Sequence, residues 1–452
     1  MVIFLLLMIT EIGFAVFGFT KSTLKNQWTG ERLLVNGAEA VLFLLLLLLP
    51  GIDLSFRFTV LAILLLIRVL AAGLFFLLYR KNENLKKKAA IAGSVLISLL
   101  LFAVSLTPAF LFRDYTGRAV TGAYEPAYCE AILTDPQRTE SFEKDGSKRE
   151  VPVHFYYPAD VSAVPEHSLP LVIFSHGAFG YYQSNTSTYQ ELASHGYVVV
   201  SLDHPYHSFF CKDSEGKTII ADMEFLQNAL EIGSNDAPES EVYDLTSEWM
   251  ALRKADMNFV IDELKTAVQT GNPDGQWHYE KDGEETILSV LQAVNTEKIG
   301  LIGHSLGGAT AVTVGRRADI SAAVDLDGTM LGEETGVKND EIQVNEEAYE
   351  TPLLCIDSGS HHQSMEISEQ NGYVYVNNVI LAHAPQGYEI HIKNAEHMNF
   401  TDLPLFSPWL AKKLGTGSID PGACIDQVNA LVLRFFDSYL KDAGEFTAKE
   451  SY

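Results

Sequence analysis

Ile299-Gly300-Leu301-Ile302-Gly303-His304-Ser305-Leu306-Gly307-Gly308 is the stretch that decides the fold. An apolar run, Ile299–Ile302, leads into Gly303-x-Ser305-x-Gly307, and a helix-forming segment follows. Strand, tight turn and helix in that order make a nucleophile elbow. The serine has to stand on a cramped turn with its hydroxyl exposed, so the residues two places either side must be glycine to avoid clashes. Gly308, Ala309 and Ala311 keep the next helix slim enough to pack closely on a sheet. The N-terminus of that helix favours negative charge developing at Ser305. A bare G-x-S-x-G arises often by chance, but not in this context.

The pattern around the elbow agrees with it. Leu171–Phe174, Val198–Leu202, Ala322–Leu326 and Leu353–Ile356 are short, near-continuous apolar runs. Strands buried on both faces of a parallel sheet read this way. Helical stretches lie between and after them, at Thr188–His195, Leu245–Val268, Gly307–Arg317 and Ile425–Leu440. In the second of these, Leu252, Phe259, Val260 and Leu264 recur at helical spacing. The alternation predicts an α/β fold with a mostly parallel sheet flanked by helices. Two more strands are expected upstream, at Cys129–Leu133 and Val151–Tyr157, joined by the polar turn Lys144–Ser147. Polar insertions at about 211–244 and 269–295 interrupt the alternation and read as loops or lids at one sheet edge.

A serine hydroxyl is a poor nucleophile until a base takes its proton. Folds with this elbow run serine, acid, then histidine along the chain. Of the later histidines His397 fits best, in a polar loop after the strand-like Tyr388–Ile392. His361 and His362 follow the preceding strand too early, and His383 and His391 lie in or beside apolar strand patterns, where a structural role is the simpler reading. The acid must orient the imidazole and stabilise its charged form. Asp327 and Asp357 each end a strand, and spacing alone leaves the two open. For the oxyanion hole the backbone N–H of Leu306 is expected to act with that of Ala178. Ala178 lies in Ser175-His176-Gly177-Ala178-Phe179-Gly180, which follows an early strand.

These residues resemble the platelet-activating-factor acetylhydrolase-like branch of the α/β-hydrolases. Phe174-Ser175-His176-Gly177 looks like that family's oxyanion loop, and Leu192-Ala193-Ser194-His195-Gly196-Tyr197 like its next helix-to-strand turn. Gly303–Gly308 is similar to its elbow, and His397-Met398-Asn399-Phe400-Thr401-Asp402 to its histidine loop. Asp135-Pro136-Gln137-Arg138, Tyr157-Pro158-Ala159 and Phe435-Phe436-Asp437-Ser438-Tyr439-Leu440 share its look. The similarity covers roughly residues 128–442. In that family the acid follows the strand after the nucleophile helix, in a Leu-Asp pattern that Leu326-Asp327-Gly328 matches. The resemblance therefore implies Ser305, Asp327 and His397 as triad. It also implies hydrolysis of short or oxidised acyl esters on phospholipid-like substrates, with no metal and no cofactor. Acyl transfer or peptide hydrolysis by the same triad, and a sensor or scaffold with a binding-only hydrolase domain, are the alternatives.

The chain has two unlike parts. Residues 1–113 carry 11 Lys/Arg against 5 Asp/Glu, and the remaining 339 carry 21 against 53. So acidic a domain stays soluble and repels nucleic acid and anionic surfaces. Its four cysteines, Cys129, Cys211, Cys355 and Cys424, are spaced wrongly for zinc; two disulfides or four buried thiols both remain open. The first part holds four apolar stretches, near 2–19, 33–52, 56–79 and 89–112. Each is long enough for a bilayer core, which takes about 20 helical residues. Runs such as Leu42–Leu49 have no polar face. The domains are thus read as 1–113, a four-helix transmembrane region, and 114–452, the α/β-hydrolase catalytic domain. Lys21, Lys25 and Arg32 in the first link, and Arg80, Lys81, Lys86, Lys87 and Lys88 in the third, keep those links cytoplasmic. That leaves the catalytic domain extracytoplasmic, as part of a multi-pass protein of the cell membrane. Glu11, Glu39 and Arg68 within the spans read as an ion pair locking the bundle.

Overall fold

The short apolar runs pair edge to edge. A computed structural model describes residues 2–452 apart from 22, 50–51, 116, 233–236, 274–275 and 280–282. Among the described residues the main sheet has nine strands. They are β1 (Pro126–Thr139), β2 (Lys148–Pro158), β3 (Leu169–Ser175), β4 (Val198–Leu202), β5 (Trp277–His278), β6 (Val294–His304), β7 (Ala322–Leu326), β8 (Leu353–Ser358) and β9 (Gly387–Ile392). Their order is β9-β8-β7-β6-β3-β4-β2-β1-β5. From β9 to β4 neighbours run parallel, while β2 and β1 pair antiparallel. This mixed sheet with flanking helices is consistent with the α/β-hydrolase fold.

Every residue of β3, β4 and β7 is buried, because helices cover both faces, which is why these strands read as continuous runs. On one face Leu171, Ile173, Val198 and Ile299 pack with Met257, Val260 and Leu264 of helix Glu239–Thr270. On the other, Val172, Phe174, Val199 and Ile302 meet Leu192 of helix Thr186–Ser194 and Phe435 and Phe436 of helix Pro421–Leu440. The parallel register brings the carboxyl ends of β3, β6, β7 and β8 to one edge of the sheet, with Ser175 opposite Gly303, His304 opposite Leu326 and Leu326 opposite Ile356. Open α/β sheets carry their sites at such an edge.

Several expectations change. The insertions are not plain loops. The first contains a hairpin, Phe210–Lys212 with Thr218–Ile220, a helix Met223–Glu231, and the start of helix Glu239–Thr270. The second contributes β5, which pairs with β1, and helix Glu284–Ala293, whose Ile287, Val290 and Leu291 join the core. Short turn-flanked segments with only two or three inward residues give too weak a periodicity to see. All four cysteines are free thiols.

The N-terminal unit comprises Met1–Thr116 with Leu405–Leu410. Its long helices are Val2–Thr20, Lys25–Leu46, Phe56–Tyr79 and Lys88–Ser105. Three of these, the first, third and fourth, are long and apolar enough to cross a membrane. The second differs from expectation because it carries Glu31, Arg32, Asn36 and Glu39 along its first two thirds, and its apolar run outlasts the helix, which ends at Leu46. The fourth ends at Ser105, and a short helix, Thr107–Leu111, with Pro108 in its first turn, takes up the rest of the expected span. Arg68 reaches Glu39 at 2.9 Å and Ser98 at 2.7 Å, and also pairs with Glu11. Arg32 bonds Glu11 at 2.7 Å.

Two glycines of β6 separate backbone from side-chain constraints. A methyl on Gly303 would sit 2.1 Å from the carbonyl oxygen of Gly307, which cannot move. One on Gly300 would meet the ends of Phe436 and Leu440 at 2.7 and 2.9 Å. Thermal unfolding in detergent should show Gly303→Ala costing about 3 kcal/mol or more, and Gly300→Ala closer to 1 kcal/mol because side chains can yield.

Candidate active site

Ser305 leaves β6 with φ 55° and ψ −125° and immediately starts helix Leu306–Gly315. A non-glycine residue with positive φ is strained and persists only when its surroundings over-determine it. Here its N–H donates to the Leu326 carbonyl at 2.9 Å. Glycines press in from all sides: a Cβ on Gly307 would lie 2.0 Å from the Ser175 carbonyl oxygen, and one on Gly328 2.6 Å from that of Ser305. The Ser305 hydroxyl, half-buried, makes no hydrogen bond among the described residues. Such bonds commonly tighten only with substrate bound.

His397 stands in a short turn, His397–Phe400, after β9. Its Nδ1 lies 2.7 Å from Asp327 Oδ2, and its side chain is 42 % exposed, against 3 % for Asp327. His304, next to the nucleophile, accepts no charge: burial and the nearby His397 hold it down to about 3, and its Nε2 is 3.1 Å from the His397 carbonyl. The rings of His304 and His397 lie 4.6 Å apart. The elbow, His397 and Asp327 are therefore brought together at one edge of the sheet.

Asp327 has more partners than a triad needs. The Ser358 N–H donates to its Oδ1 at 2.6 Å, and His361 Nδ1 lies 3.3 Å from the same oxygen. His361 Nδ1 is also 3.2 Å from Asp357 Oδ1. The alternative acid, Asp357, thus lies beside His361, while the carboxylate bonded to His397 is that of Asp327. Burial opposes ionisation of Asp327, yet the hydrogen bonds from His361 and His397 prevail and hold its carboxyl well below the usual range. Burial likewise opposes charge on His361, but its bonds to the two carboxylates push it up to about 12. Behind them Asp325 is wholly buried; desolvation and the neighbouring Asp357 raise it well above the ordinary value. Asp327, Asp357 and His361 each offer a ligand atom within 4.8 Å of the others. His361 Nδ1 already stands between the two carboxylates, so the group reads as an ion cluster.

The loop after β3 carries the second oxyanion candidate. Gly177 lies against the elbow: a Cβ there would be 3.3 Å from Ser305 Cβ and 2.8 Å from His304 Nδ1. Ala178 packs in one apolar cluster with Leu306, Phe225 and Trp249. Behind the loop Arg253, fully buried, donates to the carbonyls of His176 at 2.5 Å and Gly177 at 3.3 Å. With both carbonyls held there, the following N–H groups are free to face the serine. Ser175 Oγ, His204 Nε2 and Nδ1, and Asp256 Oδ2 form a second Ser–His–Asp chain, at 2.9 and 2.9 Å. All three are wholly buried, so substrate has no access and the set is scaffold. Asp256 is locked in turn by Arg149 at 2.7 Å.

Comparison with known proteins gives the same direction. The family model of platelet-activating factor acetylhydrolase, isoform II, matches residues 150–451. The chain belongs to that family. The platelet-activating factor acetylhydrolase of Gallus gallus is 25% identical over 303 residues, covering 64% of this chain and 66% of that protein. That of Bos taurus is 24% identical over 286 residues, 60% and 57%. The chain thus spans between just over half and about two thirds of the length of these relatives. Among solved structures, a ferulic acid esterase from Streptomyces cinnamoneus aligns with TM-score 0.49 at 20% identity, covering 73% of this chain and 94% of that one.

Family-like residues around His397 have visible work. The Asn399 side-chain oxygen Oδ1 accepts from the N–H of Glu396 at 3.0 Å and of Gly417 at 2.7 Å, pinning the turn at both ends. Phe400 is buried in the core, and its carbonyl takes Asn185 Nδ2 at 2.6 Å. Asp402 accepts the Ser187 N–H at 2.8 Å. Sequence reading set His361 aside and missed Asp325 and Arg253. A signal existed for Asp325, since Asp325-x-Asp327 puts two acids on one face of a strand end; for Arg253 a cation on the buried side of an amphipathic helix was the clue.

Arg253→Met should keep the fold, because Asp256 retains Arg149 and His204, yet release the loop carbonyls. Labelling of Ser305 by a fluorophosphonate is expected to slow roughly ten- to a hundred-fold; an unchanged rate would remove Arg253 from loop support.

Proposed function

We propose that this chain is a membrane-anchored serine carboxylic ester hydrolase for short-chain or lipid-type acyl esters. Ser305 attacks the ester carbonyl while His397 Nε2 takes its proton and anionic Asp327 stabilises the imidazolium at Nδ1. The N–H groups of Leu306 and Ala178 bind the oxyanion. The leaving alcohol takes the proton back from His397. Water, deprotonated by His397, then frees the acid from the acyl-enzyme. The observation that carries this reading is His397 Nδ1 at 2.7 Å from buried Asp327, beside the strained elbow. Family membership supports it, and the relatives' name, acetylhydrolase, favours short acyl groups on phospholipid-like molecules.

Two regions divide the labour in this proposal: 1–113 crosses the membrane four times, and 114–452 carries the chemistry outside the cytoplasm. The inside-out character of the N-terminal helices supports insertion. Glu11 and Glu39 are fully buried, whereas Leu70, Leu77 and Leu96 are exposed. Lipid accepts exposed leucine, and interior acids are tolerated when paired with Arg.

With p-nitrophenyl esters from acetate to palmitate, acetate and butyrate should be hydrolysed fastest. Ser305→Ala is expected to lose at least about a thousandfold in kcat and all fluorophosphonate labelling; labelling that survives the substitution defeats the assignment of Ser305. Added alcohols should not divert the acyl group, which separates hydrolysis from acyl transfer.

Topology has its own check. The full chain should stay in the membrane pellet after alkaline carbonate extraction, and a periplasmic-type reporter fused after residue 452 should be active. Extraction into the supernatant would remove the spans from the reading.

A further inference from the structure

Three buried acids and two histidines meet where β7 and β8 end, and a triad uses only Asp327 and His397. His361 lies in the first turn of helix Gly359–Asn371. Ser358 fixes it there: its side chain caps the His361 N–H at 3.1 Å while its own N–H bonds Asp327. Nδ1 of His361 then stands between Asp327 Oδ1 and Asp357 Oδ1, at 3.3 and 3.2 Å, and its Nε2 has no partner among the described residues. The other groups facing the cluster are His397 across Asp327, Asp325 behind, Glu389 on the neighbouring strand toward Asp357, His304 beside His397, and the ring of Tyr375, 5.8 Å from that of His361. Glu396, bonded by Ser360 on the same helix, lies at the rim.

Resting on the hydrolase reading above, we propose that His361 is a positioning residue of the reaction. By donating to Asp327, with Asp357 Oδ1 3.2 Å from the same nitrogen as a second counter-charge, it keeps Asp327 an anion aimed at His397. Two buried carboxylates so close, without a cation between them, share a proton rather than both ionise. A proton on Asp327 would cancel its charge and offer His397 the wrong partner, so the imidazolium formed when Ser305 gives up its proton would go unsupported. Asp357 then has a reason to be buried beside the triad: it holds His361, and His361 holds Asp327.

The sign of the pH effect follows. Asp327 must be ionised for catalysis. Burial pushes the Asp357 carboxyl up and His361 opposes that shift; removing the His361 cation takes the compensating charge away from Asp327 as well, leaving it harder to ionise beside a second carboxyl, so the active form is lost at a higher pH. In the full chain, His361→Gln should lower kcat on p-nitrophenyl acetate roughly ten- to a hundred-fold at pH 7, with KM within about twofold. The acid limb of kcat/KM should rise by about one pH unit or more. Adding Asp357→Asn removes the competitor for the proton and should return the limb toward the wild-type position. A His361→Gln profile that superimposes on wild type, or a double variant no better than the single one, overturns the proposal. Should glutamine at 361 prevent folding, the imidazole 15N resonances of the wild-type chain decide instead. His361 should remain imidazolium to at least pH 9, and a neutral ring at pH 7 overturns the role. A wild-type chain that hydrolyses no ester and takes no label at Ser305 fails the hydrolase reading and this proposal together; an active wild type with an unmoved His361 variant fails this proposal alone.

Discussion

A carboxylate buried at the end of a strand has to be compensated from every side, and Asp327 is that carboxylate. It sits at 5 % exposure, next to two other acids, and stays ionised because His397, His361 and the Ser358 N–H all donate to it. Isolated charges in such a place would neutralise instead. Asp325, which has no donor of comparable strength among the described residues, is pushed well above the ordinary carboxylate value. Two acids two residues apart at one strand end are therefore shifted in opposite directions, Asp327 down and Asp325 up, by the partners that the neighbouring elements deliver. The geometry of β8 matters as much as that of β7, since β8 supplies both the capping serine and the helix that carries His361.

The other half of the site depends on backbone held against its preferences. Ser305 and Asp327 both have positive φ, 55° and 54°, and each costs on the order of 1–3 kcal/mol. The surrounding glycines make room for this, and the sheet register fixes it, since the Ser305 N–H bonds the Leu326 carbonyl. Across the gap, Arg253 does for the loop after β3 what the register does for the elbow. Its cost is visible: burial lowers the guanidinium to about 9, a loss tolerated because Asp256 lies near and two carbonyls accept its protons. The wholly buried Ser175–His204–Asp256 chain has the same three residue types but neither the solvent access nor the strained turn found at Ser305, His397 and Asp327.

How much of this could be read in the sequence follows from the range of each interaction. The elbow is local, six residues with their own steric logic, and so are the apolar runs that build the sheet. His397 could be chosen by chain order and by its polar loop. Asp327 and Asp357 could not be separated by spacing, because both end parallel strands; their different partners appear only when β7, β8 and the His397 turn are side by side. His361 was set aside for following its strand too closely, yet that closeness puts it in the first turn of a helix pointing back at Asp327. Arg253 is more than 70 positions from the carbonyls it holds, and no short window contains both. The hairpin and β5 were lost for the opposite reason: their strands span only two or three residues, fewer than a period-two pattern needs to declare itself.

The second N-terminal helix shows where hydropathy averages mislead. Its Asn36 and Glu39 lower the mean, yet both are spent inside the bundle on Arg68, at 3.1 and 2.9 Å. Arg32 and Arg68 against Glu11 and Glu39 balance two positive charges with two negative, with Ser98 Oγ accepting from both guanidinium groups at 2.7 Å. Breaking such a network by removing one member strands a buried charge, whereas replacing the whole by apolar residues need not destabilise. The contribution of these groups is therefore to orientation: four helices with leucine on every outer face could slide and rotate past one another, but only one arrangement brings two Arg and two acids into register. A helix that scores poorly as an apolar segment is in that respect the one that specifies the bundle.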